Sequence, residues 1–148
     1  MTTCGVATRA VGDRVLPASS GDDAAETVPA QVFLDAVPDR VAAKMVAVVQ
    51  AVAAAPPPAF SGGGMWEAMH DDMAGIYEVR VDYNGTHYRL FCVLERDGAS
   101  VGITGASIVL IDGRSKKYRT TISAREYKAI RTLVDEYLRR RPRSVLRP

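Results

Sequence analysis

Two arginines near the middle of the sequence, Arg80 and Arg89, could together bind a phosphate group. A guanidinium group stays positively charged at physiological pH and presents its N–H donors in one plane, which suits phosphate oxygens. The arginines flank Asn84-Gly85, the pair most typical of a two-residue β-hairpin turn. That turn places Arg80 opposite Arg89 on an exposed strand face, so the sequence predicts two converging guanidinium groups.

Two carboxylates beside the arginines allow a second interpretation. Glu78 and Asp82 lie on the same face of the predicted hairpin. Facing arginines repel each other, and neighbouring carboxylates would offset that repulsion in a salt-bridged surface ladder with no chemical role. The sequence is consistent with both the anion site and the ladder.

The hairpin covers residues 75–95 and alternates apolar and polar side chains on both sides of the turn. Since successive strand residues point to opposite faces, one face is predicted to be core. Its residues are Tyr77, Val79, Val81, Tyr83, Tyr88, Leu90, Cys92 and Leu94. The face that holds the arginines is charged near the turn and apolar away from it.

The residues before the hairpin predict two helices. A short helix with Pro29 in its first turn is expected over residues 28–37, and a Val-rich helix follows that ends before the proline run at 56–58. Residues 56–73 are expected to form a loop. Its Trp66 is either part of a mobile rim or a cover for one edge of the core.

The residues after the hairpin predict a strand and a helix. The apolar run 106–112 fits a strand buried on both faces, which ends at Gly113. Ser123 and Glu126 have the spacing of a capping box, so a helix is expected from there to Pro142.

Charge is distributed unevenly along the chain. Residues 1–113 hold 7 Lys/Arg and 14 Asp/Glu, a net charge of −7, whereas residues 114–148 hold 12 and 3, a net charge of +9. Such a basic end predicts contact with a nucleic acid or an acidic protein.

Other function classes have little support. Cys4 and Cys92 are expected to be reduced thiols of a cytoplasmic protein, and neither a signal peptide nor a membrane span is predicted. A metal centre is not expected at His70-Asp71-Asp72, because His87 is the only other histidine. No cofactor is predicted.

Taken in order, these elements resemble the RelE-like bacterial toxins, in particular the HigB-type and phage-derived branch. The resemblance covers roughly residues 28–140. It lies in W-E-A-M and G-I-Y-E-V-R at 66–80, Y-R-L-F at 88–91 and I-V-L-I-D-G-R-S-K-K at 108–117. It implies an α+β fold, with two N-terminal helices packed on a small curved antiparallel sheet and a C-terminal helix. We therefore expect a mobile extension over 1–27, a toxin domain over 28–141 and a basic tail over 142–148.

The resemblance also implies a function. Members of this group cleave mRNA on the ribosome and are neutralised by an antitoxin, here expected to be of the helix-turn-helix type. Arg80 and Arg89 take the family's cationic sheet positions, Lys116 and Lys117 lie at the next strand end, and Tyr127 approximates a late aromatic position. Further RNA contacts are expected from Arg114, Arg119 and Arg131. Some relatives have a lysine where this chain has Glu78.

Metal-independent RNA cleavage uses the 2′-hydroxyl as nucleophile and leaves a cyclic phosphate. Arginines can only stabilise charge, so the proton transfers are left to Glu78, His87, Lys116 or Lys117. Two alternatives keep the scaffold without this chemistry: a non-catalytic binding module that uses the basic C-terminal helix, and a gyrase-directed inhibitor.

Overall fold

The structure is a computed structural model that describes residues 5–6, 14–15, 29–54, 64–95, 107–139 and 145–146. Its elements are β1 (Gly5–Val6), β2 (Arg14–Val15), α1 (Pro29–Ala36), α2 (Asp39–Ala54), β3 (Trp66–Ala68), β4 (Tyr77–Tyr83), β5 (Thr86–Glu95), β6 (Ser107–Lys117), α3 (Ala124–Arg139) and β7 (Val145–Leu146). Strands β3, β4, β5 and β6 form an antiparallel sheet in that order. The α+β class predicted from the sequence is confirmed.

The β4–β5 hairpin has the predicted turn and register. Asn84 and Gly85 have φ angles of 50° and 79°, as the central residues of a type I′ turn require. Tyr83 therefore pairs with Thr86, and Arg80 lies directly opposite Arg89. Because the turn fixes the register, it also fixes which side chains share a face of the sheet.

Helices cover both faces of the sheet. The predicted core face of the hairpin packs against α1 and α2, with Val79, Leu90 and Cys92 fully buried there. On the opposite face, the apolar end of the hairpin packs against α3, where Phe91 and Ile130 are fully buried. The charged end of that second face, near the turn, is the part of the sheet that can form a site.

Close packing of α1 on β6 depends on a glycine. A Cβ atom at Gly113 would lie 2.2 Å from the ring of Phe33 on α1. Only a residue without a side chain allows this approach. Gly113 was expected to end the strand, but it lies inside β6, which continues to Lys117.

A β-bulge interrupts the β5–β6 ladder. Phe91 pairs with Asp112 but Cys92 pairs with Leu110, so Ile111 is an extra residue on β6. Before the bulge, Val109 and Ile111 face α3. After the extra residue, Lys116 lies opposite His87, so Lys116 rather than Lys117 lies with His87 on the α3 side.

The region expected to be a loop contains regular structure. Trp66–Ala68 forms strand β3 at the edge of the sheet, and a single 3-10 turn follows at Asp71–Met73. Trp66 is buried and stacks on Tyr77 with ring centroids 5.0 Å apart, so it covers the core edge. Residues 56–63 of this region lie outside the described residues.

The ends of the chain add three short strands to the sheet. β1 and β2 pair in parallel with β6, and β7 pairs with β2. The rest of the expected extension (1–27) and of the basic tail (142–148) lies outside the described residues, as does Cys4, whereas Cys92 is a buried free thiol. Within the part of the chain that the structure describes, no helix is long and apolar enough to cross a membrane.

Candidate functional site

The charged end of the sheet borders an open cavity of about 250 Å³. Five of the six predicted catalytic residues line it, together with the predicted aromatic residue. These are Glu78, Arg80, His87, Arg89, Lys116 and Tyr127. Thr120, Thr121 and Ile122, from the segment between β6 and α3, complete the wall.

Three adjacent strands position these side chains. Arg80 on β4 lies opposite Arg89 on β5, and His87 on β5 lies opposite Lys116 on β6. The hairpin turn sets the first pairing and the bulge sets the second. Tyr127 comes from the first turns of α3, and its ring meets Phe91 edge-on with centroids 6.2 Å apart.

A carboxylate oxygen lies between the two arginines. Oε1 of Glu78 is 3.3 Å from Nε of Arg80 and 3.8 Å from Nε of Arg89. Glu78 is 8% exposed. Burial raises the pKa of its carboxyl group, although Arg89 and Arg80 act in the opposite direction.

The two arginines differ in exposure. Arg89 is 8% exposed, so the expectation of an exposed charge is wrong for it. Its Nη1 donates to Oδ1 of Asp82 at 3.0 Å and to the carbonyl of Tyr88 at 2.9 Å. Arg80 is half-exposed and donates from Nη1 to Oε2 of Glu67 at 2.8 Å.

His87 is held on two sides. Its Nδ1 lies 2.7 Å from the oxygen of Asp82 that also accepts from Arg89, and its ring stacks on Tyr118 with centroids 4.6 Å apart. An ionised carboxylate can only accept, so Nδ1 carries the proton and Nε2 remains for another partner. Although burial acts to raise it, the hydrogen bonds from His87 and Arg89 lower the pKa of Asp82 on balance.

Lys116 is joined to the capping box of α3. Its Nζ lies 3.1 Å from Oε2 of Glu126. The same oxygen accepts from the backbone N–H of Ser123 at 2.9 Å, and Ser123 Oγ accepts from the N–H of Glu126, as the sequence predicts. The backbone hydrogen bond from Ser123 and the contact with Lys116 lower the pKa of Glu126.

Comparison with protein-family models identifies the family. Residues 32–135 match the model described as phage derived protein Gp49-like (DUF891). The chain belongs to this family. The Gp49-like family is phage-derived, related to toxin–antitoxin systems and part of the RelE/toxin–antitoxin superfamily, which implies an antitoxin as partner. No curated protein and no solved structure matches the chain.

Four predicted residues of this Gp49-like chain lie away from the cavity. Lys117 is exposed and pairs in register with Thr86, and Arg119 is exposed in the turn after β6. Arg114 pairs with Asp112 at 2.5 Å beside α1. The fourth residue, Arg131, borders a neighbouring cavity.

Two acidic residues of the site were not expected from the sequence. Glu67 reaches Arg80 from the edge strand β3, which was predicted to be loop. Glu126 was predicted only as a helix cap, and no local pattern indicates its contact with Lys116. These contacts come from the arrangement of β3 and α3 around the sheet.

The side chains at the site have nearly balanced charges. Three permanent cations are paired with four carboxylates, so their formal sum is −1 when His87 is neutral. The cations are Arg80, Arg89 and Lys116, and the carboxylates are Glu67, Glu78, Asp82 and Glu126. The salt-bridged ladder considered from the sequence is therefore present, and an incoming phosphate would have to replace carboxylates.

The Gp49-like chain has no evident metal-ligand cluster in its described ranges. No group of three or more His, Cys, Asp or Glu side chains there is placed to hold a metal ion. The polar groups available at the cavity are guanidinium, ammonium, imidazole, hydroxyl and carboxyl groups. Together these can bind a phosphodiester and transfer protons.

Proposed function

We propose that this Gp49-like protein is the toxin of a type II toxin–antitoxin system, of the HigB type. In this proposal it cleaves mRNA on the ribosome in the cytoplasm without a metal ion, and so inhibits translation and growth. A helix-turn-helix antitoxin neutralises it. The main support is the position of Glu78, a carboxyl group with a raised pKa between two arginines in an open cavity.

Glu78 is the proposed general base. It accepts the proton of the 2′-hydroxyl, whose oxygen then attacks the adjacent phosphorus. A carboxylate is a weak base at its ordinary pKa, so a raised pKa brings Glu78 closer to the pH at which the reaction runs. Lys116 is less suited to this step because its ammonium group is engaged by Glu126.

Arg80 and Arg89 are the proposed phosphate ligands. They donate to the non-bridging oxygens and offset the charge that develops there in the transition state. Arg80 would exchange Glu67 for phosphate, and Arg89 would exchange Asp82. Lys116 adds a third positive charge at the same cavity.

His87 is the proposed general acid. With Nδ1–H held by Asp82, a protonated His87 donates from Nε2 to the 5′-oxygen as the P–O5′ bond breaks. The products are a 2′,3′-cyclic phosphate and a 5′-hydroxyl. One proton enters at Glu78 and one leaves from His87, so the reaction is balanced.

The balanced charge of the site favours a second candidate function. Four carboxylates already offset the cations of the site. A module that binds a protein partner without catalysis could tolerate this charge balance. Such a module would act through its basic end, or on gyrase, and would not require Glu78 to face a substrate.

Induced expression in bacteria, with mapping of mRNA 5′ ends, tests the proposal. The wild-type protein is expected to create new 5′-hydroxyl ends within translated messages. Glu78→Gln keeps the side-chain shape and should reduce cleavage by about 10²- to 10⁴-fold. Glu136→Gln removes the same charge from α3 outside the cavity, so it should cleave as the wild type does.

Two results would contradict the mechanism. Full cleavage by a folded Glu78→Gln protein would exclude Glu78 as the base. Growth inhibition without new mRNA ends would favour the non-catalytic candidate.

A further inference from the structure

A second cavity, of about 560 Å³, adjoins the first. Tyr127 lines both cavities, so the two share this aromatic residue. The rest of the second cavity comes from His70, from the 3-10 turn Asp71–Met73, and from Ala124, Lys128 and Arg131 on α3. It lies on the α3 side of the sheet, next to the proposed phosphate ligands.

The walls of the second cavity are fixed by tertiary contacts. Nη1 of Arg131 donates to the carbonyl of Ala74 at 2.8 Å, which ties α3 to the end of the turn. Asp135 holds the same guanidinium group at 2.9–3.0 Å. Met73 is buried against α3, and Tyr127 is packed against Phe91. The cavity is therefore built by packed elements rather than by an isolated loop.

The dimensions and lining of this cavity suit an unpaired nucleobase. Its volume lies in the range of roughly 300–1,000 Å³ found for small-molecule sites. Proteins that recognise single-stranded RNA stack unpaired bases on aromatic rings and bind their polar edges. Because Tyr127 borders both cavities, a nucleotide with its phosphate at Arg80 and Arg89 can place its base in the second cavity.

The polar groups at the rim indicate which base fits. Within the described residues, the carboxylates of Asp71 and Asp72 make no ion pair, although both line the cavity. An ionised carboxylate only accepts hydrogen bonds. Guanine alone presents two adjacent donors, N1–H and N2–H, that one carboxylate can accept together, and Lys128 can donate to its O6.

We infer that this second cavity is a nucleobase subsite that prefers guanine next to the cleaved phosphate. The inference rests on the phosphate site of the proposed function, since it is the phosphate that brings the base to Tyr127. It adds a source of sequence preference that lies outside the sheet residues proposed for catalysis.

Binding of nucleoside monophosphates to the full chain tests the inference without requiring cleavage. Guanosine 3′- and 5′-monophosphate, the corresponding uridine nucleotides, guanosine and inorganic phosphate are titrated separately and followed by calorimetry. At least one guanosine nucleotide is expected to bind about tenfold more tightly than its uridine counterpart, the discrimination typical of one bidentate contact. The isomer that binds better shows on which side of the phosphate the base lies.

Variants test which residues cause the preference for guanosine nucleotides. Asp71 has a φ angle of 54°, a region that asparagine tolerates, so Asp71→Asn keeps the backbone. Combined with Asp72→Asn, it should remove most of the guanosine preference. The preference should remain in Glu136→Gln, which loses a charge elsewhere on α3.

The possible outcomes separate the two proposals. Equal affinity for guanosine and uridine nucleotides, or a preference that survives in the double variant, would overturn the base subsite while leaving the phosphate site in place. Binding of guanosine that depends on Asp71 and Asp72, without binding of phosphate or cleavage of mRNA, would show a guanine site that does not lie next to a cleaved phosphate, and would contradict both the inference and the proposed function. If none of the ligands binds, the base subsite fails, and the mapping of mRNA 5′ ends decides the proposed function separately.

Discussion

Replacing Arg89 with alanine should destabilise the protein as well as remove a proposed phosphate ligand. Arg89 is 8% exposed, and its guanidinium group is shared between Glu78, Asp82 and the carbonyl of Tyr88. Its loss leaves the buried carboxylate of Glu78 with Arg80 as its remaining cationic neighbour. The effect therefore depends mainly on what happens to Glu78.

The cost can be estimated from these contacts. The side chain of Asp82 is 49% exposed, so the ion pair that it loses is worth at most about 1 kcal/mol. Removing a charged partner from a buried group costs about 1.5–3 kcal/mol, and the 3.8 Å separation from Glu78 argues for the lower end. We therefore expect Arg89→Ala to lower the free energy of unfolding by about 2–3 kcal/mol. A domain with a typical stability of about 5–15 kcal/mol remains folded.

The pH dependence has a definite sign. Arg89 lowers the pKa of Glu78, so its removal raises that pKa further above the ordinary carboxyl value. A raised pKa in the folded state means that ionising Glu78 destabilises the fold. The loss in Arg89→Ala should therefore be small below the ordinary carboxyl pKa and grow as pH rises through the raised pKa.

Urea unfolding of the wild type, Arg89→Ala, Glu78→Gln and the double variant measures these terms. Glu78→Gln should recover at least about 1 kcal/mol of the loss caused by Arg89→Ala, because neighbouring charges in one network are coupled. Lys44→Ala on the exposed face of α2 is the control, and its effect should stay within about 0.5 kcal/mol. An Arg89→Ala protein with wild-type stability at neutral pH, or with no coupling to Glu78, would refute this reasoning.

Two further predictions concern the interaction with RNA. Glu67→Gln removes a half-exposed ion pair to Arg80 that is worth up to about 1 kcal/mol. RNA or ribosome binding, measured by filter retention, should therefore tighten by about two- to fivefold. Unchanged or weaker binding would show that Arg80 is not a phosphate ligand. Cleavage should persist in excess chelator, with polyamines keeping the ribosomes intact, and it should leave 2′,3′-cyclic phosphates, because arginines offset the phosphate charge. Activity that is lost on chelation and restored by Mn²⁺, with 3′-hydroxyl products, would mean that a metal ion offsets this charge instead.

The hairpin and its facing arginines could be predicted because the determining residues are local. Asn84-Gly85 selects one turn type, and the turn fixes the register of both strands. The first helix and the capping box of α3 were predicted from short signals of the same kind. Most of the fold and four residues of the cavity, Glu78, Arg80, His87 and Arg89, follow from such signals.

The choice between Lys116 and Lys117 could not be predicted, because it depends on the bulge at Ile111. The run Ile108 to Ile111 is apolar throughout and buried on both faces, so its pattern does not reveal an extra residue. A regular strand would have placed Lys117 on the α3 side with Val109. Without the structure, the two lysines are equivalent candidates.

The burial of Arg89 was missed for a different reason. Alternation along a strand shows which face a residue shares but not whether another element covers that face. Here α3 and the segment before it approach the charged end, where Ile122 and Tyr127 line the cavity around Arg89. Its exposure is a tertiary property that the hairpin sequence does not contain.

The salt-bridged ladder and the anion site are compatible descriptions of the same side chains. The carboxylates of Glu67 and Asp82 are each about half exposed, so each holds its arginine with an energy of at most about 1 kcal/mol. A phosphodiester that accepts charge-assisted hydrogen bonds from both guanidinium groups can offset these losses. Glu78 differs because it is buried between the arginines, and removing it would leave Arg89 with fewer partners. In the proposed mechanism, the exposed carboxylates keep the arginines oriented until phosphate displaces them, whereas Glu78 stays in place beside the phosphate, where a general base is needed.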